Sequence, residues 1–340
     1  MFCYKKNLIF CLIIVSLSSA FFISCKESSS PTTAQNKILT DANIAKLQGF
    51  ADQAISFTPG LVAYVAVEGE GELYITRGVS NLTTNEPINP KNFFRIASNT
   101  KTFTAEAVLI LADEGKIDLN KPINFYLPEL NIPSGDVITV RMLGNMTSGL
   151  FSYTADSATM MNYYNAKGTL VYTPQQLIAA TCRHSLDFTP GSQYEYCNTN
   201  FVILGSLIAK VTGESVPQVF QERIFTPLGM TNTSWPYSFY LPYPYTHGYS
   251  AVIGPLTDCT NWSPSWGDAA GQLVSNIADL KIWIKEITQG NLLSAASKAE
   301  RYRWVDENVA GYPGVYEYGY GLMKYKNWIG HSGIISGYNS

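Results

Sequence analysis

The positions of the strand-forming segments constrain the fold of this chain more than any other feature. Residues 61–67 and 72–79 are rich in β-branched and aromatic side chains and flank a Gly-Glu-Gly turn, which predicts a hairpin. Strand patterns return only near residues 316–335, and the intervening segment, about 117–300, alternates apolar helical stretches with loops. The sequence therefore predicts an α+β fold. An α/β sandwich, with an antiparallel sheet built from both ends of the chain and flanked by helices, would carry an inserted all-helical lobe.

Apolar residues at helical spacing, with capping residues in place, predict the main helices. Thr40 and Asp41 are good N-cap residue types, and Gly115 stands where a helix C-cap is expected. The predicted helices span residues 41–55, 102–114, 201–211 and 278–287. No internal repeat and no second linker interrupt residues 41–340, so we predict a single domain there.

The composition excludes two classes of protein. Of the 340 residues, 46% are hydrophobic, which is enough for a substantial core and excludes disorder throughout. The net charge is -3 and no long basic run is present, so the chain lacks the positive surface that nucleic acids require. Nucleic acid is not a predicted partner.

The first 40 residues have the pattern of a targeting segment followed by a tether. Two lysines precede an apolar run, 8–23, which ends in Ser24-Cys25. We predict that residues 1–25 are a signal peptide, that Cys25 carries the lipid anchor of an exported lipoprotein, and that residues 26–40 are flexible. A retained membrane anchor is the alternative, although the run is shorter than the roughly 20 apolar residues that span a bilayer. Both predictions place the bulk of the chain outside the cytoplasm, in the bacterial cell envelope or periplasm.

Three cysteines, Cys182, Cys197 and Cys259, follow the predicted signal peptide. An odd number of cysteines permits at most one disulfide. We expect isolated thiols, and a bridge between Cys182 and Cys259 is the alternative.

The first candidate for chemistry is Ser98-Asn99-Thr100-Lys101, the only S-x-x-K sequence in the chain. It stands at the start of a predicted apolar helix, where two residues three apart share a face. A serine hydroxyl needs a neighbouring base, and a lysine can be that base when burial and a helix N-terminus disfavour its ammonium form. The pattern predicts Ser98 as a nucleophile and Lys101 as its base, although such a pair also arises by composition alone about once or twice in a chain of this length.

A Y-x-N sequence, Tyr196-Cys197-Asn198, follows a Pro-Gly turn and precedes another apolar helix. A tyrosine with a lowered pKa could carry a proton between the nucleophile and the leaving group, and Asn198 could hold both the lysine and a substrate carbonyl. The segment 163–165 has the same spacing. We prefer Tyr196 because the turn and the helix would hold its loop firmly.

The third candidate, His331-Ser332-Gly333, interrupts a strand-like run. On a sheet edge, His331 could supply a cationic or hydrogen-bonding group, Ser332 a hydroxyl for a substrate carboxylate, and Gly333 space for the substrate backbone. The other histidines, His184 and His247, have no partner at a meaningful spacing, and we interpret them as structural.

Rival chemistries have less support in the sequence. It contains no G-x-S-x-G nucleophile elbow, no H-E-x-x-H zinc sequence and no glycine-rich phosphate loop. With three histidines and scattered cysteines, neither a metal site nor a cofactor is predicted.

The order S-x-x-K, Y-x-N and an H-S-G triplet in place of K-T-G resembles the motif set of penicillin-binding enzymes and serine β-lactamases. The tyrosine and histidine variants are similar to serine D-alanyl-D-alanine carboxypeptidases related to class C β-lactamases, and to esterases of that superfamily. The resemblance runs from about residue 61 to residue 340, with 198–201, 223–230 and 269–275 as similar scaffold. Cys197 departs from it, because relatives commonly have a serine there.

The resemblance implies a site in the cleft between the sheet and the helical lobe. Ser98 would be acylated, and the oxyanion would sit between the backbone N–H groups of Ser98 and Ile334. The remaining motif residues would move protons or bind substrate, namely Lys101, Tyr196, Asn198, His331 and Ser332. No cofactor is implied.

The resemblance first implies a carboxypeptidase that cleaves the terminal D-alanine of a peptidoglycan stem peptide through an acyl-enzyme. A β-lactamase or esterase on the same site is the alternative in chemistry, with a β-lactam as a ligand, and a catalytically silent cell-wall-binding lipoprotein is the alternative in class. Relatives continue past the third motif with further strands and a helix. We therefore expect a domain truncated at its C-terminus, with an unpaired sheet edge.

Overall fold

The computed structural model describes residues 2–4, 8–13, 37–308 and 314–340. The predicted lipidation site, Cys25, and most of the predicted tether lie outside these residues, so both stay predictions. The strands are β1 (Phe2–Tyr4), β2 (Leu8–Ile13), β3 (Gly60–Val67), β4 (Gly71–Asn81), β5 (Glu86–Pro87), β6 (Phe94–Arg95), β7 (Tyr249–Ser250), β8 (Thr257–Asp258), β9 (Val274–Ser275), β10 (Val305–Asp306), β11 (Tyr316–Tyr318), β12 (Met323–Tyr325), β13 (Trp328–Gly330), β14 (Ile334–Ile335) and β15 (Tyr338–Asn339). The α-helices are α1 (Asp41–Ala54), α2 (Thr100–Asp113), α3 (Val140–Gly144), α4 (Ser157–Asn165), α5 (Pro174–Thr181), α6 (Asn198–Thr212), α7 (Val216–Phe220), α8 (Thr226–Leu228), α9 (Asp268–Gly271), α10 (Ile277–Gln289) and α11 (Ala295–Arg301).

Nine strands form one antiparallel sheet in the order β10-β11-β12-β13-β1-β2-β3-β4-β5. The predicted hairpin is β3–β4, which pairs Leu61 with Arg77. β1 and β2 belong to the predicted signal peptide, and they lie between β13 and β3. The expected truncation at the C-terminus stays a prediction. Among the described strands, β10 and β5 are the sheet edges.

Side chains of β3 alternate between two apolar layers. Leu61 and Ala63 pack with Ala51 of α1, whereas Val62 and Tyr64 join the main core on the opposite face. α1 begins where predicted, since the Thr40 hydroxyl accepts a hydrogen bond from the backbone N–H of Asn43 at 3.2 Å. The sheet is thus covered on both faces, which confirms the predicted α+β sandwich.

The main core is built around α2, most of whose side chains are buried. Its Phe103 stacks on Trp283 of α10 with ring centres 3.9 Å apart. α10 also contacts the sheet, because the Lys281 ammonium donates to Glu72 in β4 at 2.7 Å. α10, which was expected in the inserted lobe, therefore belongs to the sandwich.

The inserted lobe contains α3 to α8 and packs on α2 through α6, whose Phe201 and Val202 are fully buried. Cys182, Cys197 and Cys259 are free thiols, as expected. Cys259 packs against Tyr163 and Trp262, whereas the Cys182 thiol faces the carbonyl of Asn131, so the alternative bridge between them is not formed. None of the described helices is long and apolar enough to cross a membrane.

Candidate active site

The turn that carries Ser98 joins β6 to α2. Residues Ala97–Asn99 form a single 3-10 turn, and Ala97 has a φ of +47°, a conformation that non-glycine residues rarely adopt. Leu273 holds both sides of the turn: its carbonyl accepts from the backbone N–H of Ile96 at 3.0 Å, and its own N–H donates to the Thr100 hydroxyl at 3.1 Å. These bonds offset the backbone strain at Ala97 and fix the direction of Ser98.

Lys101 is buried beneath Ser98 and makes three hydrogen bonds. Its amino group lies 3.0 Å from Ser98 Oγ, 2.7 Å from Asn198 Oδ1 and 2.8 Å from the carbonyl oxygen of Ala270. The amide of Asn198 is oriented by a second bond, from its Nδ2 to the Thr154 hydroxyl at 3.1 Å. The contact between Ser98 and Lys101 expected from their spacing is present.

Burial lowers the pKa of Lys101 well below its ordinary value, and the N-terminal ends of α2 and α6 also disfavour its ammonium form. A neutral amine has two N–H bonds and one lone pair. Carbonyl oxygens can only accept, so the two hydrogens point to Asn198 Oδ1 and to the Ala270 carbonyl. The lone pair then faces the hydroxyl of Ser98, which is the geometry that a general base requires.

Tyr196 forms a side-chain hydrogen bond to Ser98, and the Lys101 amino group lies 4.9 Å from the centre of its ring. The expectation that the pKa of this phenol is lowered is wrong: burial raises it above its ordinary value, and the bond to Ser98 lowers it less. Tyr196 is therefore a protonated donor at neutral pH. Lys101 is the better candidate for the base at this site.

His331 is fully buried behind the site and carries no positive charge. Burial, followed by the nearby Lys101, lowers its pKa to about 3. Its Nδ1 lies 2.6 Å from the carbonyl of Ser332 and therefore carries the proton, while its Nε2 lies 3.1 Å from the Tyr318 hydroxyl and accepts from it. Of the two roles expected for His331, a cationic or a hydrogen-bonding group, the structure supports the second. The triplet does not lie on a sheet edge, because it follows β13 in a loop and β13 pairs with strands on both sides.

Other residues of the protein, rather than a substrate, occupy the space beside Gly333. A Cβ atom there would lie 2.4 Å from the carbonyl oxygen of Ile96, 2.6 Å from Ser340 Oγ and 3.0 Å from Asn99 Nδ2. The absence of a side chain at Gly333 lets β14 approach the Ala97–Asn99 turn, which carries the candidate nucleophile Ser98 and is called the nucleophile turn below. The neighbouring Ser332 hydroxyl faces the sulfur of Met323, at 3.7 Å.

We expect Gly333→Ala to push β14 away from the nucleophile turn. Hydrolysis should fall by about 10²-fold, the loss typical of removing one oxyanion donor, and unfolding should become easier by about 1–3 kcal/mol. Steady-state rates and thermal melting measure both. Gly49→Ala is the matched control, because a Cβ there meets nothing within 4 Å. Equal rates for the wild type and Gly333→Ala would contradict this packing role.

The backbone N–H of Ile334 faces the site. Gly333 and Ser340 exchange two backbone hydrogen bonds, so the next residue along β14 turns its N–H to the other edge of the strand. Ser98 begins a helical turn, where the first N–H groups have no intrahelical partner. Ser98 and Ile334 line the same cavity, so the expected pair of oxyanion donors is compatible with this geometry.

The cavity above Ser98 measures about 230 Å³. The sequence predictions included three of its lining residues, namely Ser98, Asn198 and Ile334, whereas His331, Ser332 and Gly333 do not line it. The lining residues that they missed are Thr154, Met160, Tyr164, Trp266, Ala270, Gly271 and Ile335. Two signals pointed to some of them: Tyr164 belongs to the second Y-x-N sequence, and Ala270 and Gly271 lie in a stretch interpreted as scaffold.

The other two histidines have carboxylate partners in the fold. His184 Nε2 lies 2.8 Å from Asp156, and His247 Nδ1 lies 2.7 Å from Asp258. His184 also stacks on Phe151 with ring centres 3.9 Å apart. These contacts tie loops together, and sequence spacing did not reveal them because each pair forms only in the fold.

A beta-lactamase family model matches residues 50–340. The chain belongs to the beta-lactamase family of serine hydrolases. Among solved structures, it is similar to a D-stereospecific amidohydrolase from Streptomyces, with 34% identity, a TM-score of 0.79, and coverage of 86% of this chain and 88% of that one. It is also similar to the D-amino acid amidase of Ochrobactrum anthropi complexed with L-phenylalanine, with 28% identity, a TM-score of 0.76, and coverage of 88% and 86%.

Protein flp of Staphylococcus aureus is 26% identical over 229 residues, which are 66% of this chain and 44% of that protein. The beta-lactamase-family domain thus spans less than half the length of this curated relative. The family that the order of the three motifs predicted is therefore confirmed.

In this beta-lactamase-family site, α9 supplies the Ala270 carbonyl, which accepts a hydrogen bond from Lys101. The first residue of α9 is Asp268, whose carboxyl group is buried. Asp268 Oδ1 accepts from the backbone N–H of Ala269 at 2.6 Å, and burial raises the pKa of Asp268 to about 6. A carboxyl whose pKa is higher in the folded than in the unfolded chain stabilises the fold fully below about pH 4 and loses that contribution as pH rises through about 6.

We therefore expect Asp268→Asn to raise the free energy of unfolding at pH 7.5 by on the order of 1–3 kcal/mol, with little change at pH 4. Asparagine keeps the acceptor oxygen and tolerates the positive φ of +41° at this position. Urea unfolding at both pH values measures the difference, with the exposed Asp136→Asn as control. An equal change in the free energy of unfolding at both pH values would contradict a raised pKa of the buried Asp268.

Proposed function

We propose that this chain is a serine amidohydrolase that forms an acyl-enzyme on Ser98, and that its substrates are D-amino acid amides without a charge beside the scissile bond. The observation that carries the proposal is the hydrogen bond of 3.0 Å between Lys101 Nζ and Ser98 Oγ, made by a lysine whose pKa is lowered by burial. A catalytically silent binding protein has no need of such a pair.

Acylation follows from these contacts. Lys101 takes the proton of Ser98 as the hydroxyl oxygen attacks the amide carbonyl, and the N–H groups of Ser98 and Ile334 stabilise the oxyanion. The C–N bond then breaks, Tyr196 donates its phenolic proton to the departing nitrogen, and Lys101 returns its proton to Tyr196. Water hydrolyses the resulting ester on Ser98, with Lys101 taking the proton of the water.

The wall of the cavity supports an uncharged substrate. Among the described residues that line it, none is Lys, Arg, Asp or Glu, and the nearby His331 is neutral. A carboxylate or an ammonium group placed there would lose its hydration without gaining a partner. The two similar structures, a D-stereospecific amidohydrolase and a D-amino acid amidase, favour the same class of bond.

The D-alanyl-D-alanine carboxypeptidase activity expected from the motifs is the second candidate. It uses the same acyl-enzyme chemistry and is favoured by the order of the three motifs, but its substrate ends in a carboxylate beside the scissile bond. A β-lactam or an ester could acylate Ser98 by the same steps. Export and lipid anchoring through Cys25 belong to the proposal as well, and they would place the site in the cell envelope.

A matched pair of peptides separates the two candidates. N-acetyl-D-alanyl-D-alanine and its C-terminal amide share the bond between the two alanines, and only the acid carries a charge beside it. The amide also offers the enzyme its terminal carboxamide, so the released products identify which bond is cleaved. We expect the amide to be hydrolysed at least about 10-fold faster, because only the acid must bury a carboxylate. Liquid chromatography of the products measures both rates, with Ser98→Ala as the blank. Faster hydrolysis of the acid would favour the carboxypeptidase instead.

A further inference from the structure

A second chamber adjoins the cavity above Ser98. It measures about 420 Å³ and lies between the end of α1, the β7–β8 hairpin and the β14–β15 hairpin. Four residues, Tyr164, Trp266, Ile334 and Ile335, line both spaces, so the chamber continues the active-site cleft.

The chamber is mostly apolar, and His247 is its one basic side chain among the described residues. In the described part of the chain, no Asp, Glu, Lys or Arg side chain lines it. Its outer rim carries large hydrophobic side chains that are mostly exposed: Phe57 at 68%, Val252 at 60% and Leu256 at 56%. Exposed apolar groups gathered around a concavity mark a binding site for an apolar ligand.

The course of β14 determines which side of the substrate reaches the chamber. His331, three residues before Ile334, packs beside Tyr196 with ring centres 6.0 Å apart. In the proposed function Tyr196 protonates the leaving group. The leaving group therefore departs toward the end of β14 that lies nearer to His331. The other end of β14, with Ser336 and Gly337, lines the chamber. The part of the substrate that remains on Ser98 therefore extends into it.

We propose that this chamber binds an apolar, uncharged acyl group carried on the amino nitrogen of the substrate, so that the enzyme acts on N-acylated D-amino acid amides. The inference rests on the proposed function for the direction of the substrate, whereas the chamber itself rests on its lining. An N-acyl group also removes the ammonium charge, which neither space can pair.

N-octanoyl-D-alaninamide and N-acetyl-D-alaninamide test the proposal by rate. The octanoyl substrate should have a kcat/KM at least about 10-fold higher, because its additional methylene groups can be buried in the chamber. Val252→Asp should remove most of this preference. Val137→Asp is the matched control, because Val137 is similarly exposed, at 57%, and lies outside the chamber.

Calorimetric binding of N-octanoyl-D-alaninamide to Ser98→Ala separates the chamber from the chemistry. We expect Val252→Asp to weaken this binding at least about 10-fold and Val137→Asp to leave it unchanged. Tight binding without hydrolysis by the wild type would refute the proposed function and support the chamber. Equal binding by the two aspartate variants, or equal rates for the two chain lengths, would overturn the chamber even in an active enzyme.

Discussion

Replacing Ser98 by alanine is expected to abolish covalent labelling by penicillin and to slow amide hydrolysis on the order of 10⁵-fold. Among the described residues, the Lys101 lone pair faces the Ser98 hydroxyl, so the loss of this hydroxyl leaves the base without a nucleophile to activate. Folding should change little, because Ser98 is only partly buried and its side chain fills no core position. Intact-protein mass spectrometry measures the labelling, and product release measures the rate.

Ser192→Ala is the control for this experiment, because Ser192 is exposed and its hydroxyl bonds only to the carbonyl of Thr189 in the described contacts. It should label and turn over like the wild type. Equal labelling of Ser98→Ala and the wild type would remove Ser98 as the nucleophile. Labelling that persists on a different residue would show that the family assignment holds while the site does not.

The contact between Ser98 and Lys101 could be predicted because it is local. Ser98 and Lys101 lie one helical turn apart, so their contact follows from helix spacing alone. Tyr196 and Asn198 were also found, because a turn and a helix start fix a loop wherever the rest of the chain lies. The sheet and helices followed from periodicity for the same reason, and the β3–β4 hairpin has the predicted position.

Residues that depend on distant packing could not be predicted. The carbonyl of Ala270 contacts Lys101 across 169 residues of sequence, and backbone groups carry no residue signature. The sequence leaves open whether His331 is cationic or hydrogen-bonding, because its burial and its bond to Tyr318 are products of the fold. Gly333 shows the same limit: glycine indicated a close approach, and only the structure identifies the approaching group as the nucleophile turn.

Replacing Lys101 by methionine is expected to slow acylation about 10³-fold or more and to change how stability depends on pH. Methionine keeps the volume of the side chain and removes the base. In the wild type the unfolded chain binds a proton on Lys101 up to about pH 10.5, whereas burial keeps the folded lysine neutral well below that. Wild-type stability should therefore rise with pH across the alkaline range below 10.5, relative to Lys101→Met, by up to about 1.4 kcal/mol per pH unit.

Urea unfolding of both proteins between pH 7.5 and 10 measures this difference, and the ratio of penicillin-labelling rates measures the loss of the base. Lys210→Met is the control, because Lys210 is half exposed and pairs with Glu129 on the surface. Its stability difference from the wild type should not grow with pH in this way. If the difference in the free energy of unfolding between the wild type and Lys101→Met stayed constant with pH, the lysine would remain charged in the folded protein. Ser98 would then need another base, and the raised pKa of Tyr196 makes that phenol a poor substitute.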